Sequence, residues 1–210
     1  MRTRVKICGF TQVKDAVYAA GLGVDAIGLV FYEPSPRNIS IETAQAIRQA
    51  LPAFVSVVAL FVNAEPGFIR QVLDTVAIDC IQFHGDETPD ECRSYNRPYI
   101  KAIQMRAETD IAVLQLHYHD ASALLLDAYH PELQGGSGRS FDWDLIPRNC
   151  KLPIILAGGL TPDNAQQAMK AVKPYALDVS SGVEAAKGIK DAVKMAAFIR
   201  TTNRATENYD

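Results

Sequence analysis

Apolar, β-branched runs recur along the whole chain and alternate with helix-like segments. The runs are VKICG (5–9), AIGLVF (26–31), VSVVALF (55–61), CIQFHG (80–85), YIKAIQM (99–105), ALLLDA (123–128), PIILAGG (153–159) and ALDVSSG (176–182). Most are continuous rather than alternating, the pattern of strands covered on both faces. Among the segments between them, TQVKDAVYAAGLG has a Thr start signal and a Gly stop signal. SIETAQAIRQALP offers Ser40 as N-cap and Pro52 just past its end. TPDNAQQAMKAV carries Pro162 and Asp163 where a helix should begin, and KDAVKMAAFIRTT closes the chain. Eight strand signals alternating with helices, at about 26 residues per unit, predict an α/β fold: a single (β/α)8 TIM barrel over residues 1–210. An open doubly wound sheet would carry a glycine-rich turn after its first strand, and the first turn here is CGFTQ. Residues 202–210 are polar and are expected to fray.

Composition narrows the class. The chain is 48% hydrophobic and 21% charged, enough for a sizeable core and against disorder. A net charge of −3 with scattered Lys and Arg gives no footprint for nucleic acid. No apolar run approaches the ~18–20 residues of a membrane helix, and no signal-peptide core follows the N-terminus. The expected location is cytoplasmic. Cys8, Cys80, Cys92 and Cys150 lie far apart, with no CxxC pair and no His at zinc spacing, so neither a disulfide nor a metal site is expected.

In such a barrel the chemistry sits at the C-terminal ends of the strands. The first strand ends in Cys8-Gly9, the fourth in QFHGDE with Gln82 and His84, and the sixth in Asp127. The loop after the second strand carries Arg37. Gly158-Gly159 after the seventh strand, beside Ser180, Ser181 and Gly182 after the eighth, match the recurrent phosphate cradle of these barrels. A tight turn is the plainer reading of the two glycines. Asp127 follows LLL; a carboxyl held neutral there can donate a proton, or it can brace loop amides. Arg37 suits bidentate capture of a carboxylate, or is a solvated surface residue. His84 is either packed or bracing. Residues 127–146, rich in glycine, form a long loop of the kind that often serves as a lid. The residues alone thus give a barrel enzyme acting on a phosphorylated small molecule, without naming the reaction.

Read together, KICGFT, SPRNIS, FVN, IQFHGDE, LLLDAYHPELQGGSGRSFDW, ILAGGLTPDN and LDVSSGVE resemble the phosphoribosylanthranilate isomerase family of tryptophan biosynthesis, in the family's order. The resemblance implies an Amadori rearrangement of N-(5-phosphoribosyl)anthranilate to 1-(2-carboxyphenylamino)-1-deoxyribulose 5-phosphate by general acid–base catalysis. It makes Cys8 the general base, Asp127 the general acid and Arg37 the anchor of the anthranilate carboxylate. Gly158, Gly159, Ser180, Ser181 and Gly182 would cradle the phosphate, and Gln82, His84 and Asp178 are counted with the substrate-binding residues. No cofactor is implied, and the assembly expected is a monomer or a homodimer. Two positions depart from the family's habit: Asn38 stands where an aromatic is common, and Phe10 where a smaller aliphatic is usual. The related barrel of histidine biosynthesis usually has Asp at the position of Cys8. A non-catalytic phosphate-binding barrel would have no use for both proton-transfer groups. Lowering of the Cys8 thiol would help base catalysis, and Lys6 is expected to point away from it across the pleat.

Overall fold

The computed structural model describes residues 2–128, 142–147 and 149–207, with side chains as far as Asn203. Eight parallel strands close into a barrel in chain order, β8 pairing back onto β1. They are β1 (Arg4–Cys8), β2 (Ala26–Phe31), β3 (Ser56–Phe61), β4 (Cys80–Phe83), β5 (Tyr99–Met105), β6 (Ala123–Ala128), β7 (Ile154–Leu156) and β8 (Ala176–Val179). Helices α1 (Val13–Gly21), α2 (Ile41–Ala50), α3 (Pro66–Thr75), α4 (Pro89–Arg93), α5 (Ile111–His117) and α6 (Ala165–Val172) make six of the crossovers and α7 (Ala192–Glu207) the last cover; between β6 and β7 the described residues hold only a 3-10 turn (Trp143–Leu145). The eight expected strands are all present. None of the helices among the described residues is long and apolar enough to cross a membrane.

Strand alternation sorts the core into two layers. Odd-numbered residues of β1 and their equivalents, such as Ile7, Ile27, Leu29, Phe61, Phe83, Leu124 and Leu177, pack outward under the helices. Val58, Ile100, Ala102, Ala123, Leu125, Ile155, Ala157 and Ala176 fill the lower barrel interior. A continuous apolar run is therefore what each strand needs, because both of its faces are dry. Each fully buried Leu, Ile or Phe adds roughly 1.5–3 kcal/mol, which is what holds the barrel closed around the polar groups at its mouth.

Local signals fix the element ends. The Ser40 hydroxyl accepts from the Thr43 N–H and caps α2 as expected. The start of α6 differs: Pro162 and Asp163 precede it, and Asn164 takes the N-cap position. Asn164 spends its side chain on the preceding loop, accepting from the Thr161 N–H and donating to the Gly159 carbonyl. The tail also differs from expectation, since α7 continues to Glu207 and Thr202 is buried, its hydroxyl donating to the Phe198 carbonyl. Residues 208–210 lie outside the described residues, as do residues 129–141, which carry most of the loop expected as a lid.

One element was not foreseen. After β8 the chain makes a 3-10 turn (Ser181–Val183) and then a small antiparallel hairpin, β9 (Glu184–Ala186) with β10 (Ile189–Lys190), outside the barrel sheet. Gly188, at φ +80°, makes its turn. The hairpin reaches over the mouth at the β1–β2 side: the Thr11 hydroxyl donates to the Gly188 carbonyl, and the Lys190 N–H to Asp15 Oδ2.

Candidate active site

Four strands, β1, β4, β6 and β8, aim polar side chains into the mouth of the barrel. On one side stands Cys8, the last residue of β1, against Val30, Leu60 and Val62. Its space is made by Gly28 on β2, where a Cβ would come within 2.5 Å of the thiol sulfur. Lys6 is two residues earlier and so shares the inward face with Cys8; the expectation that pleating turns it away is wrong. The Lys6 ammonium is buried, donates to Asp178 Oδ2 at 2.9 Å and lies close enough to the thiol to act on its charge. Burial by itself would lower that ammonium, but Asp178 and Cys8 outweigh burial and raise it. Cys8 moves the other way from the lowering that base catalysis would favour. Burial pushes its thiol up, Lys6 and Lys190 pull it down, and the net is upward.

On the other side stands Asp127, at the end of β6. Its Oδ1 accepts from the Ala128 N–H at 2.9 Å. Gly158 makes that arrangement possible, because its φ is +80° and a Cβ there would lie 2.5 Å from Ala128 N and 2.9 Å from Oδ1. Gln82 and His84, both inward on β4, form a chain toward the carboxyl. As oriented, the Gln82 amide donates to His84 Nδ1 at 2.9 Å, which leaves the imidazole proton on Nε2 when the ring is neutral. His84 Nε2 and Asp127 Oδ2 are 3.3 Å apart but not aligned for a hydrogen bond, so among the described residues Nε2 has no hydrogen-bond partner. Gln82 Oε1 and Asp178 Oδ1 are likewise buried and unpartnered. Three orphaned polar atoms around one mouth are costly in a finished protein and mark where a ligand's polar groups belong.

The loop carrying His84 is braced from behind. Glu87 accepts from the Asn63 and Gly85 N–H groups and pairs with buried Lys101, whose ammonium also reaches the Gly85 carbonyl. The Tyr118 hydroxyl donates to the Glu87 carbonyl.

The loops after β7 and β8 meet at the mouth. Gly158 and Gly159 both have positive φ, and a Cβ on Gly182 would overlap the Leu160 carbonyl oxygen at 1.8 Å. Ser181 and Gly182 open the 3-10 turn. Ser180 is already used: its hydroxyl donates to the Cys8 carbonyl and its own carbonyl accepts from Lys190. Its side chain ties β8 to β1, leaving only its backbone for an anion. Arg37 lies over Gly9, whose φ is +81° and where a Cβ would sit 2.5 Å from Arg37 Cδ. Its guanidinium is not free. Nε and Nη2 donate to the two oxygens of Glu184 at 2.7 and 2.8 Å, and Lys190 donates to the same carboxylate at 2.9 Å.

The structure therefore gathers Cys8, Asp127, Gln82, His84, Asp178, Arg37 and the five residues expected to cradle a phosphate at one end of the barrel. Lys6, Glu184 and Lys190 were missed. The i, i+2 spacing of Lys6 and Cys8 was a usable signal, and so was the Lys-Gly step at 187–188 between Glu184 and Lys190. No cluster of metal-ligating side chains occurs among the described residues.

A model of the N-(5'phosphoribosyl)anthranilate (PRA) isomerase family matches residues 5–201. A protein of Nitrosococcus oceani named N-(5'-phosphoribosyl)anthranilate isomerase is 58% identical over 200 residues, covering 95% of this chain and 97% of its own. The crystal structure of phosphoribosyl anthranilate isomerase from Thermotoga maritima superposes with a TM-score of 0.89 at 41% identity, covering 96% of this chain and 99% of that one. A second crystal structure, of the isomerase in complex with reduced 1-(o-carboxyphenylamino)-1-deoxyribulose 5-phosphate, gives a TM-score of 0.85 at 39% identity over 96% of this chain and 99% of that one.

Proposed function

The chain belongs to the N-(5'-phosphoribosyl)anthranilate isomerase family and is an isomerase of tryptophan biosynthesis, and from that premise we propose which residues carry the Amadori rearrangement. Asp127 protonates the furanose ring oxygen. The bond from that oxygen to C1 breaks, and the nitrogen lone pair forms an iminium. Cys8, as thiolate, removes the C2 proton; the C–H electron pair becomes the C1–C2 double bond, and the iminium pair returns to nitrogen. Relaxation of this enolamine moves the hydroxyl proton to C1 and leaves the ketone. One proton passing from the thiol back to the carboxylate through solvent resets both groups.

The observation that carries this reading is the placement of one thiol and one carboxyl, each buried, at the ends of β1 and β6 in the same mouth. An acid and a base on two sides of one small substrate are all the reaction requires. His84 Nε2–H meets the carboxylate that forms as Asp127 gives up its proton, and catalytic hydrogen bonds of this kind are often long before substrate arrives. Asp178 Oδ1 and Gln82 Oε1 accept from sugar hydroxyls. The N–H groups around Gly158, Gly159, Ser181 and Gly182 bind the phosphate, and Arg37 binds the carboxylate of the anthranilate ring. We take the assembly as a monomer or a homodimer working in the cytoplasm on a small phosphorylated substrate, with no nucleic-acid or membrane partner.

Purified protein supplied with freshly made phosphoribosylanthranilate should extinguish the substrate's fluorescence as it is converted. Absence of turnover would remove the assignment.

A further inference from the structure

An arginine offers a carboxylate two bidentate edges: the side edge of Nε and one Nη, and the end edge of both Nη groups. In Arg37 the side edge is filled. Glu184 takes Nε on one oxygen and Nη2 on the other, so the guanidinium is fixed in its plane. Glu184 is itself held at every point. Lys190, opposite it across the hairpin, donates to Oε1, and the Lys194 ammonium donates to its backbone carbonyl. Burial alone would raise the Glu184 carboxyl, but Arg37 and Lys190 hold it below the usual carboxylate range, so it stays charged. The hairpin is fastened to the loops on either side of Arg37, through Thr11 to Gly188 and through the close approach of Gly188 to the Pro36 carbonyl, 3.0 Å from where a Cβ would be. Beneath the arginine stem, Gly9 leaves the room in which Cδ lies.

Two cations and one anion leave this cluster with one net positive charge and, among the described residues, one open arginine edge. A single carboxylate matches both. We propose that Glu184 is a positioning residue for that carboxylate: it locks Arg37 by the side edge and presents the end edge, so that the β9–β10 hairpin sets the enzyme's preference for a carboxylated aromatic amine over an uncarboxylated one. The inference rests on the reading of Arg37 as the carboxylate anchor. It gives the hairpin, which adds nothing to the barrel sheet, a definite task. A guanidinium already fixed loses little freedom on binding, which is where a preorganised site gains affinity.

The experiment uses two probes, the reduced product analogue 1-(o-carboxyphenylamino)-1-deoxyribulose 5-phosphate and its phenylamino counterpart lacking the carboxylate. Calorimetric affinities are compared for wild type, Arg37→Met, Glu184→Gln and Glu184→Asp. Glu184→Gln is expected to weaken the carboxylated probe roughly tenfold and to shift the other probe much less, with KM for the natural substrate rising more than kcat falls. Glu184→Asp keeps the charge but is one methylene short of reaching both nitrogens. It should lie between wild type and Glu184→Gln, and it supplies the same readout if the glutamine variant does not fold. Equal weakening of both probes would reduce Glu184 to a structural brace and overturn the inference. Tighter binding of the carboxylated probe would make Glu184 a competitor for Arg37 and overturn it too. If Arg37→Met leaves the preference between the probes intact, the anchor reading itself fails; if Arg37→Met abolishes it and Glu184→Gln does not, only the inference fails.

Discussion

The two halves of the mouth are stocked with different kinds of group. Around Cys8 stand ion-pairing groups: Lys6 with Asp178 below it, and Lys190 with Glu184 and Arg37 above it. Around Asp127 the neighbours are a backbone amide, an imidazole and, behind that, a carboxamide. The proposed chemistry explains the division. A thiol that must act as an anion in a dry pocket needs cations close by, because burial alone pushes it toward the neutral form. A carboxyl that must give up its proton as the ring opens is served by donors that steady the carboxylate as it forms: the Ala128 N–H already on Oδ1 and His84 Nε2 beside Oδ2. The acid and the base are thus separated in role by what surrounds them.

The largest effects should come from the two reacting groups. Cys8→Ser and Asp127→Asn should each lower kcat by at least ~100-fold in the fluorescence assay, the span expected of a general base or acid. A mild effect at either position would take that residue out of the mechanism and with it one half of the comparison.

The charges beside Cys8 should show next, in the pH dependence of kcat/KM. Activity that needs the thiolate rises with pH through the Cys8 titration. Asp178 pushes that titration up and Lys6 pulls it down. Asp178→Asn should therefore move the rising limb to lower pH. The double change Lys6→Met, Asp178→Asn should move it higher than in Asp178→Asn alone, by roughly one to three pH units. The double variant leaves no carboxylate buried without its cation, a situation that costs about 3–5 kcal/mol of stability. The position of the limb, not its height, is the readout, since Asp178 is also placed at the substrate. A limb that stays fixed in both variants would show that the thiol is not governed by these charges.

The fold was legible because each strand announces itself. Runs such as ALLLDA and YIKAIQM are apolar without a break, and only a strand covered on both faces needs that. The strand ends then delivered Cys8, Asp127 and the glycine pair, because in a parallel barrel every strand's C-terminus reaches the same mouth. Interactions across the barrel were harder to read. That Lys6 meets Asp178 depends on β1 closing against β8, 172 residues apart, and no local pattern encodes such a pairing. The error over its face was of another kind, since i and i+2 lie together on any strand. Glu184 and Lys190 were lost in a segment too short and polar to read as strands. Ser180 carried a second lesson: a hydroxyl beside a phosphate cradle looks like a ligand, yet it is spent on joining β8 to β1.

The smallest effect in this set belongs to His84, and it tests the quiet half of the mouth. The ring receives the Gln82 amide on Nδ1 and turns Nε2 toward Asp127 Oδ2 at 3.3 Å, unaligned. In the proposed mechanism this N–H is not needed while Asp127 is protonated and becomes useful as the carboxylate forms. His84→Gln keeps a side chain able to donate but cannot hold it at the same place. A hydrogen bond to a charged group contributes ~1.5–3 kcal/mol, and the glutamine amide recovers part of it, so kcat should fall about tenfold. The rising limb of the pH profile should stay in place, because Cys8 is not among the groups His84 touches. A shift of that limb would mean that the two halves are electrically one site, and the division between a charged base side and a neutral acid side would have to be given up.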